Sequence, residues 1–116
     1  MSVEGLWAVE FGHAGAAFAP VNAGIVVLET GRVFGGDTWF AYTGDYEVNG
    51  SGITGSLKVR RHHHDGMSID AWETGEDTFN VDFSVTWMSD QSAAEGVMTR
   101  NGQALGLRLK KLAELP

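Results

Sequence analysis

Phe79-Asn80-Val81-Asp82-Phe83-Ser84-Val85-Thr86-Trp87 decides the fold. Phe79, Val81, Phe83, Val85 and Trp87 share one parity, and Asn80, Asp82, Ser84 and Thr86 share the other. Successive side chains of a strand point to opposite faces, so this stretch is a strand with one greasy and one wet side. The same alternation recurs on both sides of it. Phe40–Val48 sets Phe40, Tyr42, Gly44, Tyr46 and Val48 against Ala41, Thr43, Asp45 and Glu47. Ile53–His64 sets Ile53, Leu57 and Val59 against Thr54, Ser56, Lys58 and Arg60, and Ala104–Leu112 aligns Leu105, Leu107 and Leu109.

Shorter strands are expected at Leu6–Phe11, Ala23–Glu29, Arg32–Gly36, Ser68–Glu73 and Ala93–Arg100, making eight or nine in all. Helical periodicity is nearly absent. Glu29-Thr30-Gly31-Arg32, Val48-Asn49-Gly50-Ser51 and Arg100-Asn101-Gly102-Gln103 read as hairpin turns with glycine at positive φ. Gly12–Val21, with its glycines, alanines and Pro20, reads as a loop. Sequential hairpins imply an antiparallel meander. Such a sheet leaves two exposed edges unless it closes. The predicted fold is therefore all-β: an eight-stranded antiparallel up-and-down barrel with short connecting turns, one domain over residues 1–116. A sandwich is the rival, but it needs long crossing connections.

Composition bounds the function. With 43% hydrophobic and 20% charged residues, the chain is globular rather than disordered. It has no cysteine, which excludes disulfides, thiol catalysis and Cys-ligated zinc. Eight basic against 15 acidic residues give a net charge of −7, which disfavours nucleic acid. From His62 to Thr99 there are eight acids and no Lys or Arg, a solubilising face or a dock for a basic protein. No basic-then-apolar leader is visible, and the longest apolar run, Gly24–Leu28, is too short for a membrane helix. The expected compartment is the cytoplasm.

Motifs for catalysis are scarce. No nucleophile elbow, His-Glu-x-x-His or glycine-rich loop opening a helix occurs, so no enzyme and no cofactor are expected. Asp37, Asp45 and Glu47 could in principle form an acid–base pair, but nothing in their spacing favours that over a solvated rim. His62-His63-His64-Asp65, with Asp70, is the one metal-like cluster. Strand alternation splits the histidines between faces, and Lys58 and Arg60 on the outward face repel a cation, so it reads as a solvated strand end. A metal-dependent enzyme there ranks last. In Gly35-Gly36-Asp37, the glycines permit a bend and Asp37 caps the turn.

Gly5-Leu6-Trp7 on the first strand looks like the strand-one signature of lipocalin and avidin-type barrels. That likeness implies a tryptophan plug at one barrel end, stacked on a late arginine: Arg108 first, Arg100 second. The chain also resembles the GrlR-like family, negative regulators of type III secretion. The matching stretches are Gly5–Phe11, Gly24–Gly31, Val33–Asp37 and Tyr42–Tyr46, about the first half of the chain. The resemblance implies a lipocalin-like barrel that forms a homodimer, has no enzymatic activity and acts on a regulatory protein partner. In that family an acidic tetrapeptide contacts a transcriptional activator. The corresponding residues here are Glu47-Val48-Asn49-Gly50, with a single acid.

The expected function is thus protein–protein contact, with Trp39, Asp45 and Glu47 as contact residues on the outward side. Trp39 is singled out because a wet tryptophan is costly unless covered. The alternative is a small apolar ligand inside the barrel, lined by Tyr42, Tyr46, Leu57, Val59, Phe79, Val81, Phe83 and Val85. So many bulky residues fit a filled core equally well.

Overall fold

The computed structural model describes residues 3–13, 19–63, 76–88 and 90–116. Its strands are β1 (Gly5–His13), β2 (Ala19–Glu29), β3 (Arg32–Gly36), β4 (Phe40–Asn49), β5 (Gly52–Arg61), β6 (Thr78–Trp87), β7 (Ala93–Arg100) and β8 (Gln103–Ala113). Each pairs antiparallel with the next, and β8 returns to β1, closing an eight-stranded up-and-down barrel. No helix occurs among the described residues.

Alternation sets the inside and the outside. In β6 every residue of the Phe79 parity is buried up to Val85, and every intervening residue is exposed. The interior collects one side chain in two from each wall: Trp7, Val9 and Phe11 from β1, Val26 and Leu28 from β2, and Leu107 and Leu109 from β8. β4 coils past β5 at Gly44, where a Cβ would stand 2.0 Å from the Ser56 carbonyl oxygen. Only glycine lets the two backbones approach that closely.

Two turns follow the expected chemistry. Thr30-Gly31 (φ 53° and 77°) and Asn101-Gly102 (φ 50° and 84°) both have two successive positive φ values, the signature of a type I′ hairpin. Thr30 is a β-branched residue in this uncommon region. Its N–H donates to Glu4 Oε2 at 2.8 Å, which helps fix the turn. The third turn differs. Gly50 does not take a positive φ; instead Asn49 Oδ1 accepts the N–H groups of Ser51 (3.0 Å) and Gly52 (2.9 Å). The side chain, not the glycine, makes that turn.

The loop read at Gly12–Val21 is shorter than expected. β1 runs on to His13, and β2 begins at Ala19. A register shift between Phe11 and Gly12 lets Pro20 pair there, and a bulge is where a strand tolerates proline. β5 stops at Arg61 rather than His64, because the His62 and His63 N–H groups turn to the Trp39 carbonyl. The strand expected at Ser68–Glu73 lies outside the described residues.

The barrel has two unlike ends. Val3, Trp7, Trp87 and the turns after β2, β4 and β6 lie at one; Phe40, Phe79 and the turns after β3 and β7 lie at the other. The Trp7 end is filled. Trp7 is fully buried, stacks on Trp87 (centroids 6.3 Å, planes 30° apart) and donates Nε1–H to the Val3 carbonyl at 2.9 Å.

Candidate functional site

Past the Trp7 layer the core is not quite complete. A cavity of about 60 Å³ remains within the barrel, walled from Leu28, Ile53 and Leu109 toward the Trp7 end to Phe40 and Phe79 at the other, with Val9, Phe11, Tyr42, Leu57, Val59, Val81, Phe83 and Leu107 between. That volume holds about two water-sized groups. The barrel is thus largely filled by its own side chains. Of the predicted lining, Tyr42, Leu57, Val59, Phe79, Val81 and Phe83 do line the space. Tyr46 and Val85, both toward the Trp7 end, do not. Val85 is packed solid there, and Tyr46 lies beside the Gly31 turn.

The cavity has one polar feature. Asp37, in the turn between β3 and β4, contributes to its wall. Asp37 Oδ1 accepts the N–H groups of Trp39 (2.9 Å) and Phe40 (2.8 Å), and Oδ2 accepts the Tyr42 hydroxyl. The carboxylate therefore caps the turn, as the sequence suggested, and also anchors a buried phenol. Tyr42 packs edge-on to Phe11 at 6.0 Å. His62 Nε2 lies 3.0 Å from the Asp37 carbonyl oxygen, where it donates.

Burial, then the hydrogen bond to Asp37 and that residue's negative charge, hold the Tyr42 phenol far above its ordinary value. Tyr46 is also raised: burial leads, a Gly31 backbone hydrogen bond opposes it, and Glu4 and Glu29 add to it. A folded-state value above the unfolded one means that the native chain keeps a proton the unfolded chain releases. These groups contribute full stability below about pH 10 and lose it as pH climbs beyond. An ultraviolet titration should therefore show less tyrosinate near pH 10 in the folded protein than in the unfolded chain, with the Tyr42 phenol still protonated. Half-ionisation of both phenols there, with native circular dichroism retained, would contradict this burial.

The Phe40 end carries charge on the inward parity. Arg61 ends β5 in line with Leu57 and Val59, and Arg100 ends β7 in line with Met98. The Arg61 guanidinium lies 4.7 Å from the Phe40 ring centroid, and that of Arg100 lies 4.4 Å from the Phe79 centroid. The two rings meet edge-to-face at 6.0 Å. Arg61 Nε pairs with Asp77 at 3.0 Å, and Arg100 pairs with Glu76. The arginine side chains are only 6% and 7% exposed, against 68% and 55% for their acids. Sequence reasoning missed this pair, although strand parity alone marks both arginines as inward.

Comparison with family models and with curated proteins found no match.

Several expected contacts fall elsewhere. Arg108 is not the partner of Trp7: Leu107 and Leu109 face in, so Arg108 faces out and pairs with Glu95 at 3.2 Å. Arg100 lies at the opposite end from Trp7. The β8 cation that does reach the Trp7 end is Lys111, opposite Trp7 in register, 7% exposed and paired with Glu114 at 2.8 Å. Trp39 does not stand on the outward face of β4. It precedes the first residue of β4, so strand parity does not apply to it, and it packs half-buried against the core. Asp45 and Glu47 are exposed on β4 as expected, beside Ser56 and Asp82 in a shallow groove. Both lie far along β4 from the Asp37 turn, so they make no pair with it. His62 and His63 are exposed; His64, Asp65 and Asp70 lie outside the described residues. Among the described residues no cluster of three His, Asp or Glu is placed to hold a metal ion.

The outer wall is two-toned. Across β1, β2 and β3, Leu6 pairs with Val27 and Val27 with Phe34, while Ala8 pairs with Ile25. Ile25 and Phe34 are 42% and 41% exposed. The outward positions of β5 to β8 are mostly charged or polar, with Lys58, Arg60, Asn80, Asp82, Glu95, Arg108 and Lys110 beside the exposed Val97 and Leu112. No helix among the described residues is long and apolar enough to cross a membrane.

Proposed function

We propose that this chain is a non-enzymatic barrel module that works by protein–protein contact, as a homodimer with a regulatory role of the GrlR-like kind. The observation that carries the reading is the apolar stripe over β1–β3, made of Leu6, Ala8, Ile25, Val27 and Phe34. Two copies of net charge −7 repel one another over most of their surface. The uncharged stripe is where they meet at least electrostatic cost. A two-fold contact places the same stripe on both partners, so its apolar character complements itself. The charged outer wall of β5–β8 stays in water, which fits a cytoplasmic protein better than a lipid-facing barrel. Exposed Asp45 and Glu47, with Asp82 nearby, offer a basic regulatory protein an acidic groove on a different face.

Light scattering after size exclusion tests the dimer. The wild-type chain is expected near twice 12.5 kDa at micromolar concentration. Phe34→Glu combined with Ile25→Lys is expected to give monomer, with unchanged far-ultraviolet circular dichroism. A monomeric wild type, or a double variant that stays dimeric, contradicts the assignment of this face.

A further inference from the structure

An eight-stranded barrel fills its interior with one side chain in two from each wall. Two inward positions of this barrel carry none. Gly44 shares the inward parity of Tyr42 and Tyr46 on β4, and Gly96 that of Ala94 and Met98 on β7. Neither takes a side chain, because a Cβ would run into the Ser56 carbonyl oxygen at Gly44 and the Ser84 carbonyl oxygen at Gly96. A third inward glycine, Gly55 on β5, is compensated by the Phe83 ring, which lies 2.7 Å from where a Cβ would stand. The register partners of Gly44 and Gly96 are Leu57 and Leu107, and both wall the cavity. The backbone crossings that require glycine therefore also leave the middle of the core short of side-chain atoms.

What this space can hold follows from its wall. Water in a protein interior makes about three hydrogen bonds. The polar side chains on the wall are Asp37 and Tyr42, both on the Phe40 side, and they are bonded to each other. Around Leu57, Val81 and Leu107 the wall is hydrocarbon, and backbone polar groups point along the sheet to neighbouring strands rather than inward. A water there has no partner. An ion moved there sheds its hydration shell and gains no counter-charge.

We propose that the barrel holds, between Leu57, Val81 and Leu107, a dry site for a neutral apolar molecule of about two heavy atoms, the size of dioxygen or ethene. An apolar cavity of about 150 Å³ stays dry and takes benzene or xenon. At about 60 Å³, benzene is too large and xenon still fits. The guest makes the dispersion contacts that the void withholds from its lining. This site is independent of the dimer face and goes beyond the protein-contact reading.

Xenon is the probe, titrated into the full chain and followed by nuclear magnetic resonance of the methyl groups. Saturable shifts at millimolar concentration are expected at Leu57, Val81 and Leu107, with only a linear drift at the exposed Ile25 and Val97. No magnetisation transfer from water to the Leu57, Val81 and Leu107 methyls is expected. Benzene, acetate and methylammonium at the same concentration should leave those methyls unshifted. Val81→Leu puts one more carbon into the space and should weaken xenon at least about fivefold. If Val81→Leu fails to fold, the wild-type xenon and water results decide. Absence of saturation, saturable shifts confined to the outer wall, or water in contact with the Leu57, Val81 or Leu107 methyls would each overturn the proposal. So would saturation by benzene, acetate or methylammonium, or an unchanged xenon affinity in a folded Val81→Leu.

Discussion

Trp7→Ala is expected to cost about 3–5 kcal/mol, the range for emptying a large aromatic site in a packed core. Trp7 has no exposed surface, so the whole indole is lost from the interior. The stack on Trp87 disappears with it, and so does the donor that holds the Val3 carbonyl. The neighbours have little freedom to fill the hole. Ala94 and Val85, also at this end, are 0% and 3% exposed, and their backbones are pinned in closed ladders. In a urea melt the midpoint should fall by about 2 M, taking a slope of about 1.5–2 kcal/mol/M. Trp7→Phe keeps the aromatic packing but not the N–H, and should lose less than half as much. A shift under about 1 kcal/mol for the alanine variant would mean that this end is not packed as described.

Asp37→Ala is the second large effect, for a different reason. One carboxylate serves three donors: two backbone N–H groups of its own turn and the Tyr42 hydroxyl. Removing it leaves a buried phenol without an acceptor and uncaps the approach to β4. The expected loss is about 2–4 kcal/mol, most of it the cost of a polar group stranded away from water. Asp37→Asn keeps an oxygen for the turn and puts an amide against Tyr42, so it should retain more than half of that stability. Asp37→Ala combined with Tyr42→Phe should recover much of the loss, since the stranded group is then gone. Chemical denaturation of the wild type, Asp37→Ala, Tyr42→Phe and the double variant forms a double-mutant cycle that isolates the pair. Additive losses would mean that Asp37 acts on the turn alone.

Most of the fold is legible because a strand with one buried face writes its geometry into every second residue. β6 shows this best: its boundaries differ from the reading by the single residue Thr78. The meander followed from the turns, since hairpins at Thr30-Gly31 and Asn101-Gly102 make neighbours pair, and closure followed from the two edges such a sheet would leave open. Errors arose where parity was carried past its domain or set aside. Trp39 was assigned a face by extending β4 backward into a turn that Asp37 controls. Arg108 was matched to Trp7 through a likeness to other barrels, although Leu107 and Leu109 already placed it outside. Pairing Arg61 with Arg100 over Phe40 and Phe79 escapes a reading by residue type, because a charge on an inward parity looks like the end of a strand rather than part of its interior. The bond between Asp37 and Tyr42 joins a turn to a strand across a bend, and no periodicity encodes that.

The return of β8 to β1 constrains how this molecule touches anything else. Over the apolar stripe of β1–β3 each strand is hydrogen-bonded on both flanks, so no row of free amides is available there for an incoming peptide to extend the sheet. Recognition has to be written in side chains. Association should therefore be sensitive to single residue changes and indifferent to backbone-mimicking competitors.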